Sequence, residues 1–139
     1  MVKLKICGIT NLEDAQAACS YGADALGFVF AKSPRRVNPR IVKAIIKRLP
    51  PFIVTVGVFV NEERGKVRKI AADCGLDCLQ FHGDETPGYC NYFKDKYKII
   101  KAIRVRSIDS LADLKKYNVD AFLLDSYVRG RRGGTGVKF

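Results

Sequence analysis

Lys3-Leu4-Lys5-Ile6-Cys7-Gly8-Ile9-Thr10 opens the chain as an alternating run that ends in a glycine turn. Side chains of a strand point to opposite faces in turn, so Leu4 and Ile6 share one face while Lys3, Lys5 and Cys7 share the other. The turn after this strand separates two architectures. A doubly wound open sheet places a GxGxxG or Walker turn there, and Cys7-Gly8-Ile9-Thr10 is neither. A (β/α) barrel gathers polar residues at the C-terminal ends of its strands, where its active site lies. Cys7 is the first residue of that kind.

Outward from this stretch the same unit recurs: apolar strand, short loop, amphipathic helix, next strand. Strands are expected at Lys3–Cys7, Ala25–Phe30, Val54–Val60, Cys78–His82, Ile99–Val105 and Ala121–Asp125, their starts about 20 to 30 residues apart. The helices carry their own punctuation. Thr10 and Glu13 have the spacing of a capping box, with Gly22 as the stop. Asn38-Pro39 starts a second helix with Val42, Ile45, Ile46 and Leu49 as its apolar stripe. Asn61 is read as the cap of a third, which buries Val67, Ile70, Ala71 and Cys74 and ends at Gly75. Thr86-Pro87 opens a fourth, and Leu111 and Leu114 anchor a fifth.

Strict alternation implies a parallel sheet covered by helices. Cys7, His82, Arg104 and Asp125 all end strands, which favours the barrel. A complete barrel of this class has eight strands and roughly 200 or more residues. The expectation is therefore an α/β chain forming an incomplete (β/α)8 TIM barrel: six parallel strands, helices outside, the last two βα units missing. Residues 1–139 are read as a single barrel domain truncated at its C-terminus. Open edges invite association, a homodimer among the outcomes.

Composition narrows the function. At 47% hydrophobic residues the chain can build a core. Met1 runs directly into a strand pattern, no leader is visible, and no apolar run reaches the roughly 20 residues of a membrane helix. Five cysteines without framework spacing, and a single histidine, argue against a disulfide scaffold or a zinc site and for a reducing, cytoplasmic setting. A net charge of +11 favours anionic partners, although a solvated lysine-rich surface accounts for most of it. The densest basic run, Arg129–Gly134, lacks interleaved aromatics and is weak as a nucleic-acid signal.

With Leu4 and Ile6 facing the helices, Lys5 and Cys7 face the barrel interior. A lysine aimed at the lumen is costly unless it meets an anion or carboxylate, and beside Cys7 it could depress the thiol's pKa and make it a base. Cys7 could equally just fill space. By the same parity Leu123 and Asp125 point inward on strand six, Asp125 as an acid, a ligand contact or a cap for the next helix. Gln80 and His82 point inward on strand four, where His82 could also be a hydrogen-bonded structural residue. In Ser33-Pro34-Arg35-Arg36, Arg35 suits a carboxylate or phosphate, or is merely solvated. Gly133-Gly134-Thr135-Gly136 is a candidate phosphate loop with no helix start after it.

Together, Lys5-Ile6-Cys7-Gly8-Ile9-Thr10, Gly57-Val58-Phe59, Leu79-Gln80-Phe81-His82-Gly83, Leu123-Leu124-Asp125 and Gly133-Gly134-Thr135-Gly136 resemble phosphoribosylanthranilate isomerase in order and spacing, across the whole chain. The resemblance implies an Amadori rearrangement of N-(5-phosphoribosyl)anthranilate in tryptophan biosynthesis, with no metal or organic cofactor. It implies Cys7 as general base, Asp125 as general acid and Arg35 on the anthranilate carboxylate; Lys5, Gln80, His82 and Gly134 are the further candidate substrate contacts. The partner it implies is a phosphorylated small molecule, not nucleic acid or membrane. It also implies that the phosphate is held mainly by loops after strands seven and eight, so the fragment by itself is expected to be inactive. The competing readings are another ribose-phosphate barrel isomerase, or a basic fragment that binds nucleic acid.

Overall fold

Six strands pair in chain order, every neighbouring pair parallel, in the computed structural model, which describes residues 1–105 and 107–126. They are β1 (Lys5–Cys7), β2 (Ala25–Val29), β3 (Val54–Phe59), β4 (Cys78–Phe81), β5 (Lys98–Val105) and β6 (Ala121–Ser126). Between them lie α1 (Leu12–Ser20), α2 (Pro39–Ile46), α3 (Arg64–Cys74), α4 (Pro87–Asn91) and a 3-10 segment, Ile108–Lys116, where a fifth helix was expected. Strand limits differ from the sequence reading by two residues or fewer. The largest change is at β1: Leu4 N–H donates to Asp24 at 2.8 Å, so pairing with β2 begins only at Lys5.

The sheet is curled. On a flat sheet β1 and β4 would lie about 14 Å apart, three strand spacings. Yet the Lys5 ammonium of β1 donates directly to the Gln80 side chain of β4, across the concave face. These six strands form an open arc of a (β/α) barrel, with β1 and β6 as its outer strands among the described residues.

Parity sorts the two faces as expected. Leu26, Phe28, Phe59, Leu79, Phe81 and Ile99 point to the helices and are fully buried against Val42, Val67, Cys90 and Phe93. Phe81 is the centre of an aromatic cluster, with Phe93 at 5.2 Å and Tyr89 edge-on at 5.1 Å. On the outer strands the same parity leaves Leu4, Ile6, Phe122 and Leu124 exposed.

Two helix caps differ from the sequence reading. Asn11, not Thr10, caps α1: its side chain accepts from Asp14 N–H at 2.8 Å and donates to the Asp14 carboxylate at 2.7 Å. The cap sits one residue later than expected, since Asn caps at least as well as Thr, and the return contact comes from the Asn11 side chain instead of the backbone N–H of a capping box. Glu63, not Asn61, caps α3, its carboxylate accepting from Gly65 and Lys66 N–H groups at 2.7 and 2.8 Å. Asn61 adopts φ 50° and turns sideways; its side-chain oxygen accepts from Asp84 N–H at 2.7 Å, tying the loop after β3 to the loop after β4. Asn38 and Thr86 cap α2 and α4 as expected.

A buried ion pair sits behind these loops. Lys101 lies on the helix face of β5, and its ammonium reaches Glu85 at 3.1 Å and the Gly83 carbonyl at 2.8 Å. The Glu85 carboxylate also accepts from the N–H groups of Asn61 (2.7 Å) and Gly83 (2.9 Å). Both side chains are almost completely buried, at 2% and 1% exposure. Every charge there is met by an opposite charge or a backbone dipole, which is the condition for tolerating it.

Candidate active site

The concave face carries the polar and titratable groups. Lys5 and Cys7 enter from β1, Gln80 from β4 with His82 just beyond its end, and Asp125 from β6. With Arg35 from the loop after β2, they line one cavity of about 580 Å3, walled on its apolar side by Val29, Val58 and Leu123. Cys7 and Asp125 thus come from the two outer strands and open on the same space.

The polar groups are joined in a row. Lys5 donates to Gln80 Oε1; Gln80 Nε2 lies 2.9 Å from His82 Nδ1; His82 Nε2 lies 3.0 Å from Asp125 Oδ2. The lysine facing the lumen has an amide oxygen as its hydrogen-bond partner. Burial pushes the Lys5 pKa below the ordinary lysine value, while the Cys7 and Cys78 thiols oppose that shift. His82 is hydrogen-bonded at both ring nitrogens.

Two glycines shape the surroundings of Cys7. Gly8 adopts φ +92°, and a Cβ there would lie 2.6 Å from Cδ of Arg35, which crosses directly above it. In that position Arg35 Nη1 donates to the Cys7 carbonyl at 2.9 Å. On the neighbouring strand a Cβ at Gly27 would stand 2.8 Å from Cys7 Sγ. Gly8 therefore seats the arginine beside the cysteine, and Gly27 makes room for the sulfur. Period-two reading of β1 and β2 identifies the inward faces but not these close approaches, which depend on strand register.

Cys7, Asp125, Arg35, Lys5, Gln80 and His82 are all brought together. Arg104 is not: it pairs with Asp84 beside a smaller cavity of about 270 Å3 lined also by Gly83 and Tyr117. Gly134 lies outside the described residues. Lys32 and Ser33, which the sequence reading left without a role, also line the larger cavity, and Ser33 Oγ accepts from the Arg35 N–H at 3.1 Å. Among the described residues no three His, Cys, Asp or Glu side chains cluster as a metal site, and no helix is long and apolar enough to cross a membrane.

A model of the family described as "N-(5'phosphoribosyl)anthranilate (PRA) isomerase" matches residues 4–139. The N-(5'-phosphoribosyl)anthranilate isomerase of Moorella thermoacetica is 53% identical over 140 residues, covering 100% of this chain and 62% of the relative. The crystal structure of phosphoribosyl anthranilate isomerase from Thermotoga maritima superposes with a TM-score of 0.88 at 39% identity, over 96% of this chain and 66% of that one. A further structure, of the isomerase in complex with reduced 1-(o-carboxyphenylamino)-1-deoxyribulose 5-phosphate, gives a TM-score of 0.85 at 40% identity, over 91% of this chain and 66% of the other. The chain thus spans slightly less than two thirds of the length of these relatives. With its sequence matched from residue 4 onward and its strands superposing on theirs, the chain belongs to the N-(5'-phosphoribosyl)anthranilate isomerase family.

Proposed function

We propose that this chain supplies the acid–base pair for the Amadori rearrangement of N-(5-phosphoribosyl)anthranilate to 1-(2-carboxyphenylamino)-1-deoxyribulose 5-phosphate, a step of tryptophan biosynthesis. The observation that carries this reading is that Cys7 and Asp125 open on one cavity, with Arg35 on its rim. A solved relative holds the reduced form of the product, which fits the same chemistry. Residues 1–139 act as part of one barrel domain, and five free thiols suit a reducing, cytoplasmic setting.

Asp125, protonated, gives its proton to the furanose ring oxygen, and the C1–O bond breaks to leave a Schiff base between C1 and the anthranilate nitrogen. Cys7, as thiolate, removes the proton from C2, and the electron pair moves into an enolamine. Ketonisation at C2 and protonation at C1 complete the isomerisation, so atoms and electrons balance without an external oxidant or reductant. Two groups of opposite protonation state are sufficient for the two transfers.

Arg35 is placed to hold the anthranilate carboxylate, as its planar fork does for carboxylates generally. A charge-assisted hydrogen bond contributes about 1.5–3 kcal/mol. In the chain completed with the last third of the Moorella thermoacetica relative, Arg35→Ala is therefore expected to raise KM by roughly 10- to 100-fold. Arg35→Lys should recover only part of the loss. Initial rates followed by anthranilate fluorescence test this. An unchanged KM for Arg35→Ala would remove the arginine from the substrate site.

A further inference from the structure

We propose that Lys5 and Gln80 are positioning residues that act through His82 on Asp125: they fix the imidazole as its Nε2–H tautomer and leave Oδ1 as the oxygen from which Asp125 delivers a proton. The second half rests on the reading of Asp125 as the acid; the first half stands on geometry alone.

The hydrogen-bonded row permits one assignment of donors. An ammonium group only donates, so the Gln80 atom facing Lys5 is the carbonyl oxygen. The amide is planar, so its NH2 group faces the opposite way, toward His82 Nδ1 at 2.9 Å. That NH2 also only donates, and Nδ1 must offer a lone pair. A neutral imidazole carries a single proton, which is then on Nε2, 3.0 Å from Asp125 Oδ2. A carboxylate oxygen accepts it, and the row closes with one donor and one acceptor at each link.

Reversing the Gln80 amide would set NH2 against ammonium at one end and oxygen against a lone pair at the other. Gln80 is 1% exposed, so water cannot repair either contact. The lysine charge thus selects the amide orientation, and the amide selects the tautomer, across two side-chain contacts. With Oδ2 already accepting from the ring, a proton carried by the Asp125 carboxyl resides on Oδ1. His82 then serves the acid directly, and Gln80 serves it through His82, instead of holding substrate.

His82 is the only histidine, so the 139-residue chain labelled with 15N-histidine reports one imidazole. Magic-angle-spinning 15N NMR of the sedimented chain reads both ring nitrogens whatever its state of association. The expected result is a protonated Nε2 and a downfield, unprotonated Nδ1. Gln80→Glu puts a carboxylate between Lys5 and the ring and should move the Nδ1 signal upfield into the protonated range. Lys5→Met frees the amide to turn and should give two tautomers, whereas Lys5→Arg should keep the parent pattern. An Nδ1–H tautomer in the parent chain would overturn the proposal. So would parent-like signals in both Gln80→Glu and Lys5→Met. None of these readouts depends on turnover, so a failure of the acid assignment would show separately, as activity retained by Asp125→Asn.

Discussion

Asp125→Asn, in the chain completed with a relative's last third, is expected to lower kcat by about 10²- to 10⁴-fold, the range a positioned proton donor contributes. The reason is specific to this site. The amide keeps the shape of the carboxyl group, and its oxygen can still accept from His82, 3.0 Å away in the parent. What it loses is an acidic proton for the ring oxygen of the substrate. Binding contacts formed before the reaction are largely kept, so KM should stay within about threefold while kcat falls. Turnover within about threefold of the parent would remove Asp125 from the chemistry.

Glu85→Ala is expected to destabilise the fold by about 3–5 kcal/mol, the usual cost of stripping one partner from a buried ion pair. Lys101 would keep its charge at 2% exposure with the Gly83 and Phe81 carbonyls and the face of the Tyr117 ring but no opposite charge. The N–H groups of Asn61 and Gly83 would lose their acceptor as well. Removing both charges together, as Glu85→Leu with Lys101→Met, should cost less than the sum of the single changes, because neither ion is left stranded. Urea titrations of the parent, Glu85→Ala, Glu85→Leu, Lys101→Met and the double variant measure this. Additive losses, or a Glu85→Ala midpoint close to the parent's, would show that the pair is not a unit. The same changes should disturb the site, since Gly83 directly follows His82 and Glu85 ties the loops after β3 and β4 to β5.

Much of this site was legible in period-two alternation. Once Leu4 and Ile6 are assigned to the helices, Lys5 and Cys7 must face inward, and the same count places Gln80 with His82 and Leu123 with Asp125. Parity gives direction but not distance. That Lys5 reaches Gln80 follows from the curl of the sheet, which no local pattern encodes. The roles of Gly8 and Gly27 depend on which atoms cross them from Arg35 and Cys7. Lys101 shows the limit most clearly. It occupies an outward position on β5 where an apolar residue is expected, and only the fold brings Glu85, 16 residues earlier, against it. The α3 cap moved for a related reason: Asn61 is taken up by Asp84 across the loops, and the Glu63 carboxylate caps the helix in its place.

In the proposed rearrangement the thiol on β1 takes the proton from C2 of the sugar. The measurement that tests it most directly is the steady-state rate of Cys7→Ala, followed by anthranilate fluorescence in the completed chain. A kcat lower by about 10²-fold or more with KM within about threefold is expected, because the thiol acts on a proton in transfer and contributes little to binding. Ordinary turnover by Cys7→Ala would contradict it.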